Sequence, residues 1–167
     1  MITTVLNLLD KWHLKKKSVA QNKKTIFIKE REILFVNMGQ NIGVEQDGKG
    51  DEFLRPVIVY KKFNNSMFLG IPLTSTLKDS IYYYNFEFKS KTDGFRKSSA
   101  ILSQVKAYDV KRVKFKLGTI NKQNFMELHE RFLESIRPKD ILTPRKSEES
   151  PEGICSNIVS KEKKEVK

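Results

Sequence analysis

The sequence predicts a mainly β fold, a small barrel or sandwich with a helix at each end. Three observations predict it. Between Glu30 and Asp109, β-branched and aromatic runs of strand length recur with turn residues between them. From Asn121 to Arg137 the apolar residues change to helical spacing. Residues 2–14 show a helical period ahead of the strands.

The elements follow in order. In 2–14, Ile2, Val5, Leu6, Leu9 and Trp12 share one face, and Thr3 or Thr4 is a candidate cap. That face docks on the domain or on a second copy; a membrane-surface or partner helix is the sharper alternative. Residues 15–29 are lysine-rich and read as a solvated connector. Arg31–Val36 is the first strand. Arg55–Phe63 is the second: Pro56 has no N–H to donate, which suits a strand's first position, and Val57-Ile58-Val59-Tyr60 has strong strand composition. Asn64-Asn65-Ser66 turns the chain into Met67–Thr74. Ile81–Phe88 alternates Tyr82, Tyr84, Phe86 and Phe88 against Tyr83, Asn85 and Glu87. Thr92-Asp93-Gly94 is a turn, and Ser99–Tyr108 and Arg112–Leu117 complete the strands. In the last helix Phe125, Leu128, Phe132, Leu133 and Ile136 form the apolar stripe, Asn121 caps it and Pro138 ends it. Three segments result: residues 1–29, an amphipathic helix and basic connector; residues 30–137, the strand domain with its closing helix; and residues 138–167, a charged tail expected to be disordered.

Composition narrows the function classes. The chain has 167 residues, with 32 Lys and Arg against 20 Asp and Glu, a net charge of +12. A basic surface attracts polyanions, of which nucleic acid is the commonest. Residues 1–29 hold seven lysines against one aspartate. A single cysteine, Cys155, excludes a disulfide framework and a multi-cysteine zinc site, and implies a reducing, cytoplasmic setting. No apolar run approaches the roughly 20 residues of a membrane helix. Lys11 and Lys15-Lys16-Lys17 follow the apolar stretch instead of preceding it, which is not a signal-peptide layout.

The segment NIGVEQDGKGDEFLRPVIVY, Asn41–Tyr60, carries the chemistry. A glycine-spaced polar loop leads into a β-branched strand, leaving Arg55 at the strand's mouth opposite a flexible acidic loop. Arg55 is either an ordinary surface arginine or a fixed guanidinium that binds phosphate and stabilises transition-state charge. Thr74 is a strand-terminal turn residue or a hydrogen-bond donor to a phosphate oxygen. Glu45 is a general base or a solvated carboxylate, and Gln46 reads a base edge or caps the loop. His13 and His129 lie on separate helices, which argues against a paired-histidine site or a histidine metal site. The glycines lack the GK[ST] ending of a phosphate-binding loop, and the following strand excludes an EF-hand. The aromatic and basic stretches Tyr82–Lys91 and Phe115-Lys116 either stack bases or supply core and exposed lysines.

In order along the chain stand a strand at Glu32–Asn37, a G-x-E-Q loop at Gly43, Glu45 and Gln46, Arg55-Pro56-Val57-Ile58-Val59, a strand ending Ile71-Pro72-Leu73-Thr74, and Ser99–Asp109 followed by Lys111-Arg112-Val113 and Leu117-Gly118. This set, over about residues 30–137, resembles the MazF/PemK/Kid toxins of type II toxin–antitoxin modules. The resemblance implies an SH3-like MazF/CcdB-type β-barrel with a C-terminal helix, extended here by an N-terminal helix, and a homodimer. It implies an endoribonuclease, an mRNA interferase, that cleaves single-stranded RNA through 2′-hydroxyl attack on the adjacent phosphate, with neither metal nor cofactor. Arg55 and Thr74 match the family's catalytic pair, and Glu45 matches an acidic residue that contributes in some members. Gln46, Lys49, Ser75, Ser103, Gln104 and Lys106 are the implied substrate-binding residues, and an acidic antitoxin the implied protein partner. The chain departs from some relatives where Ile101 and Ser103 replace an Arg and an Asp, and where Lys106-Ala107 replaces Arg-Thr. The alternative is a non-catalytic nucleic-acid-binding barrel or a CcdB-like gyrase poison.

Overall fold

In the computed structural model, residues 2–23 and 26–138 are described, with side chains from Leu6 onward. Helix α1 spans Ile2–Ala20. The strands are β1 (Glu32–Asn37), β2 (Leu54–Lys62), β3 (Met67–Thr74), β4 (Tyr83–Ser90), β5 (Gly94–Ile101), β6 (Lys106–Asp109) and β7 (Val113–Thr119), and helix α2 spans Lys122–Ile136. The strand order is β2-β1-β7-β4-β5-β3-β6, and a further β2–β3 pairing closes the first six into an antiparallel ring, with β6 at the edge of β3. The expected mainly β, barrel-like architecture is therefore present.

Two apolar clusters explain the composition of the strands. Ile33, Ile58, Ile71, Leu73, Phe86, Phe88, Leu117, Leu128 and Phe132 belong to one, between the ring and α2. Leu34, Val36, Val57, Val59, Phe68, Tyr108 and Val113 belong to the other. Strands β1 and β2 thus bury both faces, and they read as unbroken β-branched runs. Strand β4 buries Phe86 and Phe88 and exposes Asn85 and Glu87, so it alternates.

Several expected boundaries move. The run Ser99–Tyr108 is not one strand: β5 begins at Gly94, and a 3-10 turn at Leu102–Gln104 separates it from β6. Tyr83–Ser90 and Gly94–Ile101 form a full hairpin in which Ser90 pairs with Gly94. The first part of the lysine-rich stretch expected as connector extends α1 to Ala20, with Lys16 and Lys17 on exposed helical positions and Lys15 half-buried. Ile28, in the same stretch, is buried in the second cluster. In α2, Asn121 accepts the Asn124 N–H at 2.7 Å as the cap, but Leu133 and Ile136 are exposed instead of joining the stripe. In α1, Trp12 is buried while Leu6 and Leu9 stay exposed. The candidate caps Thr3 and Thr4 and the tail beyond Pro138 lie outside the described side chains.

Candidate active site

Arg55 stands near the start of β2, and its side chain turns inward until it is buried. Its Nε donates to the Asp47 carbonyl at 2.5 Å and its Nη1 to the Leu73 carbonyl at 3.1 Å. Burial lowers its pKa from the ordinary value, and the charge of Asp47 opposes that shift. Nη2 makes no hydrogen bond among the described residues, so two N–H groups remain for an external acceptor. The β2–β3 ladder ends at the Val57–Pro72 pair, just beyond which lie Arg55, paired with Val36 of β1, and Thr74, paired with Ser99 of β5. Thr74 ends β3 half-buried, and its Oγ1 accepts the Thr76 N–H at 3.3 Å.

Both residues line one cavity of about 460 Å³, whose walls come from every strand of the ring. Lys49, Arg96 and Lys97 add cationic groups, and Ser75 and Ser98 add hydroxyls. Phe35, Leu54, Pro56, Leu73, Phe88 and Leu117 supply the apolar walls. None of these lining residues is acidic. Arg96 is ion-paired with Asp93 and the Asp47 charge acts on Arg55, which leaves Lys49 and Lys97 without an ion pair among the described residues. Such a cavity favours an anion, and the apolar walls strengthen its field by excluding water.

The loop before β2 is fastened where the sequence suggested flexibility. The Asp47 carboxylate accepts from the Asn41 N–H at 2.6 Å and from Gln40 Nε2 at 2.9 Å. Asn41 Nδ2 donates to the Gln46 carbonyl at 2.7 Å, and Lys49 and Leu54 exchange backbone hydrogen bonds of 2.8 and 3.0 Å. Gly48 permits the close return: a Cβ there would stand 1.9 Å from the Phe53 carbonyl oxygen. Asp47 therefore spends its carboxylate on the loop and its carbonyl on Arg55.

The expected site residues divide into groups. Arg55, Thr74, Lys49 and Ser75 share the cavity. Gln104 reaches the loop from the 3-10 turn: its Oε1 accepts the Gln46 N–H at 3.4 Å and its Nε2 donates to the Val44 carbonyl at 3.3 Å. Glu45 is exposed on that loop and does not line the cavity. Lys106, on β6, has its pKa lowered by desolvation and by Arg112, while the charges of Glu45 and Asp47 raise it. Ser103 is exposed on the 3-10 turn. Sequence reasoning missed Arg96, Lys97 and Ser98 because it started β5 five residues late. The signal was the Thr92-Asp93-Gly94 turn itself, since a tight hairpin resumes pairing at once. Among the described residues, no three His, Cys, Asp or Glu side chains cluster as metal ligands, and no helix is long and apolar enough to cross a membrane.

A closed antiparallel ring with a cation-lined cavity at the β2–β3 ends defines a small β-barrel-like protein. The family model for the PemK-like, MazF-like toxin of type II toxin–antitoxin systems matches residues 29–136, and the chain belongs to that family. Its fold is similar to MazF (Form-I) from Deinococcus radiodurans, with 16% identity, a TM-score of 0.52, and coverage of 65% of this chain and 96% of that one. The Mycobacterium tuberculosis toxin MazF-mt6 is also similar, at 12% identity and TM-score 0.48, over 63% of this chain and 95% of that one. No curated protein matches the sequence.

Proposed function

We propose that the protein is a toxin endoribonuclease that cleaves single-stranded RNA at the Arg55–Thr74 cavity without a metal. One observation carries the reading: a guanidinium fixed by two carbonyls, its third nitrogen without a hydrogen bond among the described residues, lines the same cavity as the Thr74 hydroxyl, with further cations and no carboxylate in the walls. The ribose 2′-oxygen attacks the adjacent phosphorus, the P–O5′ bond breaks, O5′ takes a proton from water, and the products are a 2′,3′-cyclic phosphate and a 5′-hydroxyl. Charge accumulates on the non-bridging oxygens during this step. Arg55 Nη2 stabilises it, and Thr74 Oγ1 orients the phosphate. Glu45, on the loop that Gln104 fastens, takes the 2′-hydroxyl proton. Lys49 and Lys97 hold flanking phosphates. Gln46, Ser75, Ser103 and Lys106 complete the strand's path, on a homodimer whose cavity is blocked by an acidic antitoxin segment.

The test is purified protein with single-stranded RNA in EDTA. Wild type is expected to cleave, and Arg55→Ala and Thr74→Ala each to lose roughly 10²-fold or more. Intact RNA with folded wild-type protein overturns the assignment. One observation favours a second reading, a nucleic-acid-binding barrel without cleavage: no carboxylate or imidazole lines the cavity, and Glu45 lies outside its walls. Salt-sensitive RNA binding with no product supports that reading.

A further inference from the structure

Helix α1 precedes the family-matched residues 29–136, yet it packs on the loop that holds Arg55. Trp12 is 9% exposed, and its ring centroid lies 5.4 Å from that of Phe53. Gly39 sits so close beneath the indole that a Cβ there would come within 2.4 Å of it. The Arg112 guanidinium covers the indole at 5.6 Å and donates to the Asn37 carbonyl at 2.9 Å. One turn on, Lys15 pairs with Glu52 at 2.6 Å.

Gly39 and Phe53 are the two ends of the loop, closed by the Met38 N–H to Phe53 carbonyl bond of 2.8 Å. The Gly39 carbonyl accepts the Gly48 N–H at 2.8 Å, and the preceding carbonyl, that of Asp47, holds Arg55 Nε. A short chain of contacts therefore runs from the indole to the guanidinium. We propose that α1 is a positioning element for the site, with Trp12 its positioning residue: the indole sets the loop 39–53 and, through Gly39 and Gly48, the Asp47 carbonyl that orients Arg55. The kinetic consequence rests on the nuclease reading; the mechanical one does not.

The experiment uses the full chain and four variants: Trp12→Ala, Trp12→Phe, Lys15→Ala, and Leu14→Ala as a control on an exposed position of α1. Cleavage kinetics on single-stranded RNA are measured beside amide hydrogen exchange. Trp12→Ala is expected to lower kcat by roughly 10- to 10²-fold with KM near wild type. The Gly48, Lys49 and Leu54 amides should exchange faster while β3 and β5 amides keep their protection. Trp12→Phe restores most of the rate, Lys15→Ala shifts both readouts less in the same direction, and Leu14→Ala changes neither. Unchanged loop exchange in Trp12→Ala overturns the proposal, as does exchange that rises evenly over all strands. Should Trp12→Ala fail to fold, Lys15→Ala decides by the same readouts. If wild type leaves RNA intact, the nuclease reading fails, and the exchange data alone decide the positioning role.

Discussion

Replacing Arg55 by lysine separates charge from geometry. The guanidinium holds two backbone carbonyls, those of Asp47 and Leu73, and its Nη2 has no hydrogen bond among the described residues while Arg55 lines the cavity. A lysine ammonium keeps the charge but donates from a single point at the end of its stem. It cannot span both carbonyls and also reach a phosphate, so at least one buried carbonyl loses its partner. That loss costs about 1–3 kcal/mol, or a Tm decrease of roughly 4–12 °C at about 4 °C per kcal/mol for a domain of this size. Losing one oriented donor to the transition state costs roughly 10²–10³ in rate. The assay is single-turnover cleavage of a labelled single-stranded RNA at saturating protein, beside thermal unfolding without RNA. Arg55→Lys that cleaves as fast as wild type and melts at the same temperature excludes a role for guanidinium geometry, because charge alone then suffices.

Three further outcomes follow from other parts of the molecule. With Lys49, Arg55 and Lys97 each meeting one phosphate, log K for single-stranded RNA should fall with log salt at a slope of about −2, and Lys97→Ala should reduce its magnitude by about 0.7; an unaltered slope removes Lys97 from the interface. The Tyr108 hydroxyl is buried and has no hydrogen-bond partner among the described residues. Tyr108→Phe is therefore expected to be neutral or to stabilise by about 1 kcal/mol in chemical denaturation, and a clear loss of stability contradicts the structure there. Hydrogen bonds from Lys15, then from Lys114, hold the Glu52 carboxyl below its ordinary pKa of 4.5. A depressed carboxylate contributes stability above its unfolded pKa and loses it as pH falls through the folded value, so α1 docking should weaken as pH falls below that ordinary value. Trp12, the chain's one tryptophan, reports this by fluorescence, and an identical acid profile in Glu52→Gln excludes Glu52 as the cause.

Much of the fold was legible because burial left its period in the residues. Strand β3 matches its expected span, Met67–Thr74, and β4 shows its alternation because only one of its faces is buried. The Asn121 cap has a local chemical cause and was equally readable. Other features depend on distant residues. The run Ser99–Tyr108 has strand composition throughout, and only packing explains the 3-10 turn that buries Leu102 and points Gln104 at the loop. The lysines after Trp12 look like a connector because an exposed helical face and a solvated coil have the same composition. Arg55 and Thr74 were singled out from the Arg-Pro step and the strand end, and both line the cavity. Arg96 and Lys97 were not, because only the β4–β5 hairpin carries them to the cavity. The loop's rigidity comes from Asp47 bonding back to Gln40 and Asn41, which composition does not disclose.

The central claim is that the cavity uses the substrate's own 2′-hydroxyl as nucleophile. Replacing one ribose by 2′-deoxyribose, immediately 5′ of a linkage the wild-type protein cleaves, tests it most directly. The modified strand should still bind, and cleavage should stop at that linkage alone, with a cyclic phosphate at the corresponding site of the unmodified strand. Cleavage at the deoxy linkage, or a product lacking the cyclic phosphate, contradicts it.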